Sequence, residues 1–214
     1  MPFTVIFLGK SGSGKGTQVE LLATKGDFYV IEMGRLLREF AKRENAMAQR
    51  VSTVLHSGKL APSWLVMYLW MNELLNVDPK QHTLFDGSCR LLEEAKMLDD
   101  VLEWFERIPP KIFLIDISDV EAVRRLTTRR ICKECRKVYL GNAREVTVGI
   151  CSSCGGQLIK RHDDEGEAIK NRIAYFPTNV MPVVEHYQKK GWLVRIDGEQ
   201  PLEKVHEDIL KYLN

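Results

Sequence analysis

A glycine-rich segment near the amino terminus has the residue types and spacing needed to hold a phosphate group. It runs from Gly9 to Lys15, follows an apolar run over 5–8 and precedes a helical pattern over 16–23. Glycines let the backbone amides turn toward phosphate oxygens, and the start of a helix adds the positive end of its dipole. The Lys15 ammonium would reach the terminal phosphates. The sequence therefore predicts a nucleotide-binding loop made of Gly12, Ser13, Gly14, Lys15, Gly16 and Thr17.

Four of the five cysteines form two Cys-x-x-Cys pairs. The pairs are Cys132 with Cys135 and Cys151 with Cys154, and they are separated by residues 136–150. Two such pairs can supply four thiolates at the corners of a tetrahedron, which is typical of a structural zinc site with no open position for water. Unliganded thiols or disulfides are the alternative. The pattern favours zinc, because we expect a reducing compartment.

The elements that must position these groups follow from the apolar pattern. Five short apolar segments predict strands at 5–8, 29–31, 83–85, 112–117 and 193–196. Helical patterns lie between them, and strands that alternate with helices predict a parallel sheet. Two segments interrupt the alternation and are interpreted as inserts: a short helical one at 32–61 and a cysteine-rich, aperiodic one at 131–161.

Composition excludes two classes of partner. The net charge of the 214 residues is only +2, so no global basic field favours nucleic acid. The longest apolar run, 64–71, is far shorter than the ~20 residues of a membrane-spanning helix. The first ten residues also lack the basic start of a secretory signal. We therefore expect a cytoplasmic monomer whose partners are small-molecule nucleotides, with no nucleic-acid or membrane partner.

The loop and several later segments resemble one known family. Gly14-Lys15-Gly16-Thr17-Gln18 is similar to the loop of adenylate kinases, in which glycine also replaces the hydroxyl residue that usually binds magnesium. Further segments resemble that family's motifs in the same order: 33–38, 57–60, 85–90, 161–164 and 197–201. Arg125, Arg129 and Arg130 occupy the positions of its lid-entry arginines, and Arg172 that of a phosphate-binding arginine.

The resemblance implies a fold and a domain division. The fold would be an α/β P-loop core with a five-stranded parallel sheet flanked by helices, built from 1–31, 62–130 and 162–214. The insert 32–61 would bind the monophosphate, and 131–161 would be a zinc-stapled lid. The implied activity is reversible transfer of the γ-phosphoryl group of ATP to AMP, with Mg²⁺ accompanying ATP.

The resemblance also assigns residues to the two nucleotides. Besides the loop, the ATP side would include Arg125, Arg129, Tyr139 and Gln200. The monophosphate side would include Met33, Gly34, Arg38, Lys59, Leu60, Ala61, Gly87, Arg90, Glu94, Arg161 and Arg172. Catalysis would depend on Lys15, Arg90, Arg125, Arg161 and Arg172, and Asp86 would hold magnesium through water. A monophosphate is already an anionic nucleophile, so the reaction needs positive charge and positioning rather than a general base.

Some positions depart from the family's pattern and keep other functions open. Met33 stands where the family has threonine, Ser88-Cys89 replaces Phe-Pro, and Glu94 replaces a glutamine that reads adenine. A carboxylate only accepts hydrogen bonds, so Glu94 would suit guanine at least as well. The alternatives are therefore a GMP or pyrimidine monophosphate kinase, or a regulatory protein whose zinc ribbon binds nucleic acid. Tyr139 could lie near the ATP base or pack inside the lid.

Overall fold

A five-stranded parallel sheet forms the centre of the molecule in a computed structural model, which describes residues 2–161 and 163–213. Its strands are β1 (Thr4–Leu8), β2 (Phe28–Glu32), β3 (His82–Asp86), β4 (Lys111–Asp116) and β8 (Leu193–Asp197), in the order β2-β3-β1-β4-β8. This confirms the predicted fold class. His162, the first residue of the last predicted core segment, lies outside the described residues.

Helices cover both faces of the sheet. They are α1 (Lys15–Ala23), α2 (Met33–Phe40), α3 (Ala46–His56), α4 (Ser63–Leu74), α5 (Leu92–Trp104), α6 (Asp119–Thr128), α7 (Arg144–Val148), α8 (Gly166–Tyr175), α9 (Met181–Lys189) and α10 (Leu202–Leu210). None of the helices within the described ranges is long and apolar enough to cross a membrane.

Strand β1 is buried along its whole length because alternate side chains enter two different cores. Val5 and Phe7 pack on the side of α1 and α10. Ile6 and Leu8 pack on the opposite side, against apolar residues of α2, α4, α5 and α9. The strand is therefore fixed rigidly, and the loop that follows it starts from a fixed point.

The segment 165–190, whose sequence pattern predicts one long helix, forms two helices in the structure. A π-helical turn, Phe176–Val180, separates the two helices. Pro177 lies in that turn, and a proline has no backbone N–H to continue the regular α-helical bonding. The interruption ends α8 at Tyr175, a position that matters for the site.

The cysteine-rich segment has a small sheet and a core of its own. Its antiparallel strands are β5 (Arg130–Cys132), β6 (Val138–Tyr139) and β7 (Leu158–Ile159), in the order β6-β5-β7. A separate apolar cluster holds them together and contains Cys132, Tyr139, Cys151 and Leu158. The sequence showed no period here because these strands are only two or three residues long.

Candidate functional site

The glycine-rich segment forms the connection between β1 and α1, at the carboxyl edge of the sheet. Gly9, Gly12 and Gly14 all have positive φ angles, of 141°, 87° and 99°. Gly9 also has no room for a side chain, because a Cβ there would lie 2.4 Å from the Ile115 carbonyl oxygen of β4. The loop can therefore lie directly on the neighbouring strand, and Lys15 begins α1 immediately after it.

The Lys15 ammonium is folded back over this loop. It donates to the carbonyl oxygens of Gly9 at 2.8 Å and Lys10 at 2.7 Å. Burial lowers the pKa of Lys15 to about 8, and the nearby Asp86 carboxylate opposes that shift. A phosphate in the loop would restore a full counter-charge to this desolvated ammonium.

Three of the predicted arginines converge on two aspartates that follow the cysteine-rich segment. Arg129 donates two hydrogen bonds to Asp164, at 2.7 and 2.6 Å. Arg161 pairs with Asp163, and Arg172 donates to both carboxylates at 2.9 Å. Burial alone would raise the pKa of Asp163, but the guanidinium groups of Arg161 and Arg172 lower it to about 2. The two aspartates thus hold three positively charged guanidinium groups together, and the five side chains keep a net positive charge.

A second set of contacts joins these arginines to the loop and to Arg90. Arg172 Nε donates to Ser11 Oγ at 3.2 Å. Arg90 donates to the Tyr175 hydroxyl at 3.0 Å, and that hydroxyl lies 3.4 Å from the same Ser11 oxygen. Arg90 also donates to the Gly87 carbonyl at 3.1 Å. Lys15, Arg90 and Tyr175 line one cavity at this point. Hydrogen bonds thus link the loop to four of the predicted arginines, Arg90, Arg129, Arg161 and Arg172.

Tyr175 was not among the sequence-predicted site residues. Burial would raise its pKa, but Arg90 and Arg172 lower it, so the hydroxyl lies in a strongly positive environment. Its position three residues after Arg172 on the same helix was the available signal, because residues at that spacing share a helix face.

Asp86 ends β3 and is paired with Phe7 of β1, which places its carboxylate beside the loop. A Cβ at Gly16 would lie 3.2 Å from Asp86 Oδ2. The missing side chain at Gly16 therefore leaves open the space in which a hydroxyl would otherwise stand. Burial raises the pKa of Asp86, and the Lys15 ammonium opposes that rise. An anionic oxygen next to an open space suits a hydrated Mg²⁺ ion.

The predicted ATP-side residues Arg125 and Gln200 line a different cleft. Arg125 donates to the Gly198 carbonyl at 2.8 Å and to the Ser13 carbonyl at 3.4 Å. The cleft lies between α6, residues 140–142 and the turn after β8, and Gln200 lines it. Because Arg125 also contacts the loop at Ser13, the cleft and the loop are adjacent, as one elongated ligand would require.

The predicted acceptor-side residues Arg38 and Met33 lie in different environments. Arg38 pairs with Glu32 at 2.9 Å, and a Cβ at Gly34 would lie 3.0 Å from the Arg38 guanidinium. Burial and the nearby Arg161 lower the pKa of Arg38, so these two arginines share one region. The Met33 side chain is enclosed in the main apolar cluster, with 1% of its surface exposed. It therefore presents no side-chain surface to a ligand in this structure.

The segment that contains Lys59, Leu60 and Ala61 follows α3 and packs against α8. Lys59 is exposed, Leu60 is half-buried and Ala61 is buried. A Cβ at Gly58 would lie 2.3 Å from the Ala168 carbonyl oxygen, so this turn is docked tightly on the helix that carries Arg172.

Glu94 has a role that the sequence did not predict. One of its carboxylate oxygens accepts hydrogen bonds from the backbone amides of Arg90 at 2.8 Å and Leu91 at 3.2 Å. Only 2% of the residue is exposed. It is the third residue of α5, from which an acidic side chain commonly reaches back to the first amides of the helix. The Glu94 carboxylate, which was expected to contact the acceptor base, is thus hydrogen-bonded to the backbone.

Tyr139 was expected either near the ATP base or packed inside the lid. It lies inside the cysteine-rich segment. Its ring belongs to the small apolar cluster, and its hydroxyl lies 3.2 Å from Cys151 Sγ. Only 6% of the residue is exposed, which leaves little ring surface for stacking on a nucleotide base.

The four cysteines form a compact cluster. All four Sγ atoms lie within 4.8 Å of one another. The pairs Cys132–Cys154 and Cys135–Cys151 are 3.4 and 3.5 Å apart, well beyond the bond length of about 2.05 Å in a disulfide. Tetrahedral zinc with Zn–S bonds of 2.3 Å would separate its sulfurs by about 3.8 Å. The donor set and its spacing therefore fit zinc.

The two halves of this cluster repeat one backbone turn. Arg136 N donates to Cys132 O at 3.1 Å, and Gly155 N donates to Cys151 O at 2.9 Å. Arg136 and Gly155 both have positive φ, of 64° and 73°. Each pair of cysteines thus lies on the same tight turn, which directs its two thiols to one point.

Comparisons with known proteins agree with this geometry. A sequence model of the family described as adenylate kinase matches residues 7–192. A protein named adenylate kinase from Methanocella arvoryzae is 34% identical over 205 residues, covering 95% of both chains. Another from Caldicellulosiruptor saccharolyticus is 33% identical over 213 residues, covering 98% of both. A third, from Archaeoglobus fulgidus, is 31% identical over 206 residues, covering 96% of this chain and 95% of the relative.

Proposed function

This chain belongs to the adenylate kinase family and is an ATP-dependent nucleoside monophosphate kinase, and we propose that Lys15 and the arginine network around it carry out its phosphoryl transfer to AMP. The observation that carries this proposal is the set of contacts through Ser11. They join the glycine-rich loop to Arg172 directly and to Arg90 through Tyr175.

The proposed mechanism follows from charge and position. The acceptor phosphate attacks as an anion, so no side chain has to remove a proton. The transition state spreads negative charge over the oxygens of the transferred group, and preorganised cations stabilise that charge. Lys15, Arg129, Arg161 and Arg172 would surround the transferred group, while Arg38 and Arg90 would hold the acceptor phosphate in line. In that arrangement the phosphates would replace Asp163 and Asp164 as partners of some guanidinium groups.

The ATP side uses the neighbouring cleft. The ATP phosphates would lie in the loop and the adenosine between Arg125 and Gln200. Mg²⁺ would neutralise phosphate charge, and Asp86 would hold it through water in the space left by Gly16. All of these residues belong to one chain, so the proposed active unit is a monomer.

The proposed domain division is the one expected from the sequence. Residues 32–61, with α2 and α3, would close over the monophosphate. Residues 131–161 would form a lid over the ATP phosphates. The four cysteines would hold one structural zinc ion, whose binding energy stabilises the fold of that lid.

The alternatives from the sequence have less support. The guanylate kinase alternative depended on the Glu94 carboxylate, which instead accepts hydrogen bonds from the two backbone amides just before its own helix. A zinc ribbon that binds nucleic acid needs an exposed aromatic ring on which bases can stack, and Tyr139 is buried.

The proposal is tested by Lys15→Met. Removing a charge that acts mainly in the transition state should lower kcat by a factor on the order of 10² to 10³, in a protein whose melting temperature shows that it remains folded. Lys96→Met, which removes an exposed lysine of α5 outside the site, serves as the control. Near-normal kcat in Lys15→Met would overturn the assignment.

A further inference from the structure

The Tyr139 hydroxyl lies against the cysteine cluster in a way that the kinase reaction does not require. The residue is on β6, and its ring is buried between Cys132, Cys151 and Leu158. The phenolic oxygen is 3.2 Å from Cys151 Sγ and 3.1 Å from Ser152 Oγ, and it accepts a hydrogen bond from the Ser152 backbone amide at 3.1 Å.

The direction of these hydrogen bonds follows from the atoms involved. A phenol has one proton to donate and two lone pairs with which to accept. The Ser152 backbone N–H can only donate, so it occupies one lone pair. The Ser152 hydroxyl can donate to the other. A metal-bound thiolate has no proton and can only accept, so the phenolic proton is directed to Cys151 Sγ.

One cation also lies near the Tyr139 ring. Lys137 Nζ lies 5.8 Å from the centre of the Tyr139 ring and donates to Ser153 Oγ at 2.7 Å. A zinc ion with four thiolates carries a net charge of about −2. A hydrogen-bond donor to one sulfur, together with a nearby cation, would disperse part of that charge. Groups behind the metal ligands commonly set metal affinity in this way.

We propose that the Tyr139 hydroxyl orients Cys151 and donates to its sulfur, and thereby determines how tightly the lid retains zinc. The inference rests on the proposed zinc site and adds a positioning residue to it. Tyr139 touches neither nucleotide in this assignment. It acts by strengthening zinc binding, which stabilises the folded lid.

The test is Tyr139→Phe in the full-length chain, which removes the hydroxyl and keeps the ring. Competition with a chromophoric zinc chelator should show a Kd for zinc that is higher by about 10- to 100-fold. The cobalt-loaded protein should show a shifted thiolate-to-cobalt charge-transfer band, a signature that reports on the sulfur and not on general stability. Two controls should match the wild type. Tyr29→Phe removes a hydroxyl that donates to Glu73, far from the cysteines, and Ser152→Ala leaves the phenol–sulfur bond in place.

A second variant covers the case in which Tyr139→Phe does not fold. Site-specific 3-fluorotyrosine at position 139 keeps the shape and makes the phenol a stronger donor, so zinc loss to the chelator should be slower than in the wild type. If the wild type binds one zinc ion and each variant that folds matches its affinity and cobalt spectrum, the role of Tyr139 is overturned while the zinc site stands. If the wild type binds no zinc, the proposed site itself fails, and this inference fails with it.

Discussion

Glu94 holds Arg90 in place: its carboxylate accepts a 2.8 Å hydrogen bond from the Arg90 backbone amide. The Arg90 guanidinium, in turn, contacts Tyr175 and the Gly87 carbonyl inside the proposed phosphate network. The residue that departs most clearly from the family's pattern on the base side therefore supports the proposed phosphate-binding network through its neighbour.

Substitutions at Glu94 should separate this role from base reading. Glu94→Gln keeps an oxygen that can accept from the Arg90 and Leu91 amides before the helix, so the ratio of kcat/KM for AMP to that for GMP should change little. Glu94→Ala leaves two amides without their acceptor, which should lower the free energy of unfolding by about 1–2 kcal/mol and also lower kcat/KM. Urea unfolding and steady-state kinetics measure both effects.

The matched control for these variants is Glu93→Ala. It removes a carboxylate from the same helical turn, but that side chain is exposed and bonds only to Ser63 among the residues described. A reversal of the AMP-to-GMP preference in Glu94→Gln would contradict the capping role and return the carboxylate to base recognition.

Zinc removal should loosen the lid and lower Tm. The proposed lid has its own small apolar cluster, with two cysteines among its buried residues, so the binding energy of the proposed zinc ion would supply much of its stability. For a chain of this size Tm should fall by about 2–4 °C for each kcal/mol lost. Elemental analysis should find one zinc per chain before chelation and none after it.

A variant that lacks the two exposed cysteines provides the control for chelation. Cys135→Ser with Cys154→Ser should melt at the lower temperature with or without chelator. Purified protein that contains no metal, with four titratable thiols and a Tm unaffected by chelator, would contradict the zinc assignment.

His206 should make the protein less stable in mild acid. It is 7% exposed, its Nδ1 lies 3.0 Å from Gln18 Oε1, and its Nε2 has no hydrogen-bond partner among the described residues. Burial lowers the pKa of His206, and Lys25 adds to that shift. The folded state therefore favours the neutral ring. Its contribution to stability should be complete above the usual histidine pKa of about 6.5 and decline as the pH falls below that value.

His206→Asn should reduce this acid sensitivity, since its amide can still donate to Gln18 and does not titrate. Unfolding free energies measured by urea between pH 5 and 8 test the difference, and identical slopes in the wild type and His206→Asn would show that His206 is not responsible.

The features that the sequence predicted correctly are those encoded over short stretches of chain. The alternating strands and helices, and the four cysteines that cluster, are patterns within one segment or between two segments of recognisable type. Gly9 belongs to the same group, since its positive φ and the close approach of β4 both require glycine.

The features that the sequence did not predict depend on tertiary contacts. Tyr175 meets Arg90 across 85 positions of the chain and Ser11 across 164, and no local pattern indicates either contact. The interruption at Phe176–Val180 could be anticipated only from Pro177. Met33 is apolar and follows a strand, so nothing in its type distinguished a base contact from the core position that it occupies.

The relative use of the four nucleoside monophosphates tests the proposed transfer to AMP most directly. Pure protein with ATP and Mg²⁺ would be supplied with AMP, GMP, CMP or UMP, and the nucleoside diphosphates formed would be quantified by chromatography, with Lys15→Met as the inactive control. We expect kcat/KM to be highest for AMP by at least about tenfold, a difference of 1.4 kcal/mol that one or two base-specific hydrogen bonds can supply. Faster turnover of GMP than AMP, or wild-type turnover no greater than that of Lys15→Met, would contradict it.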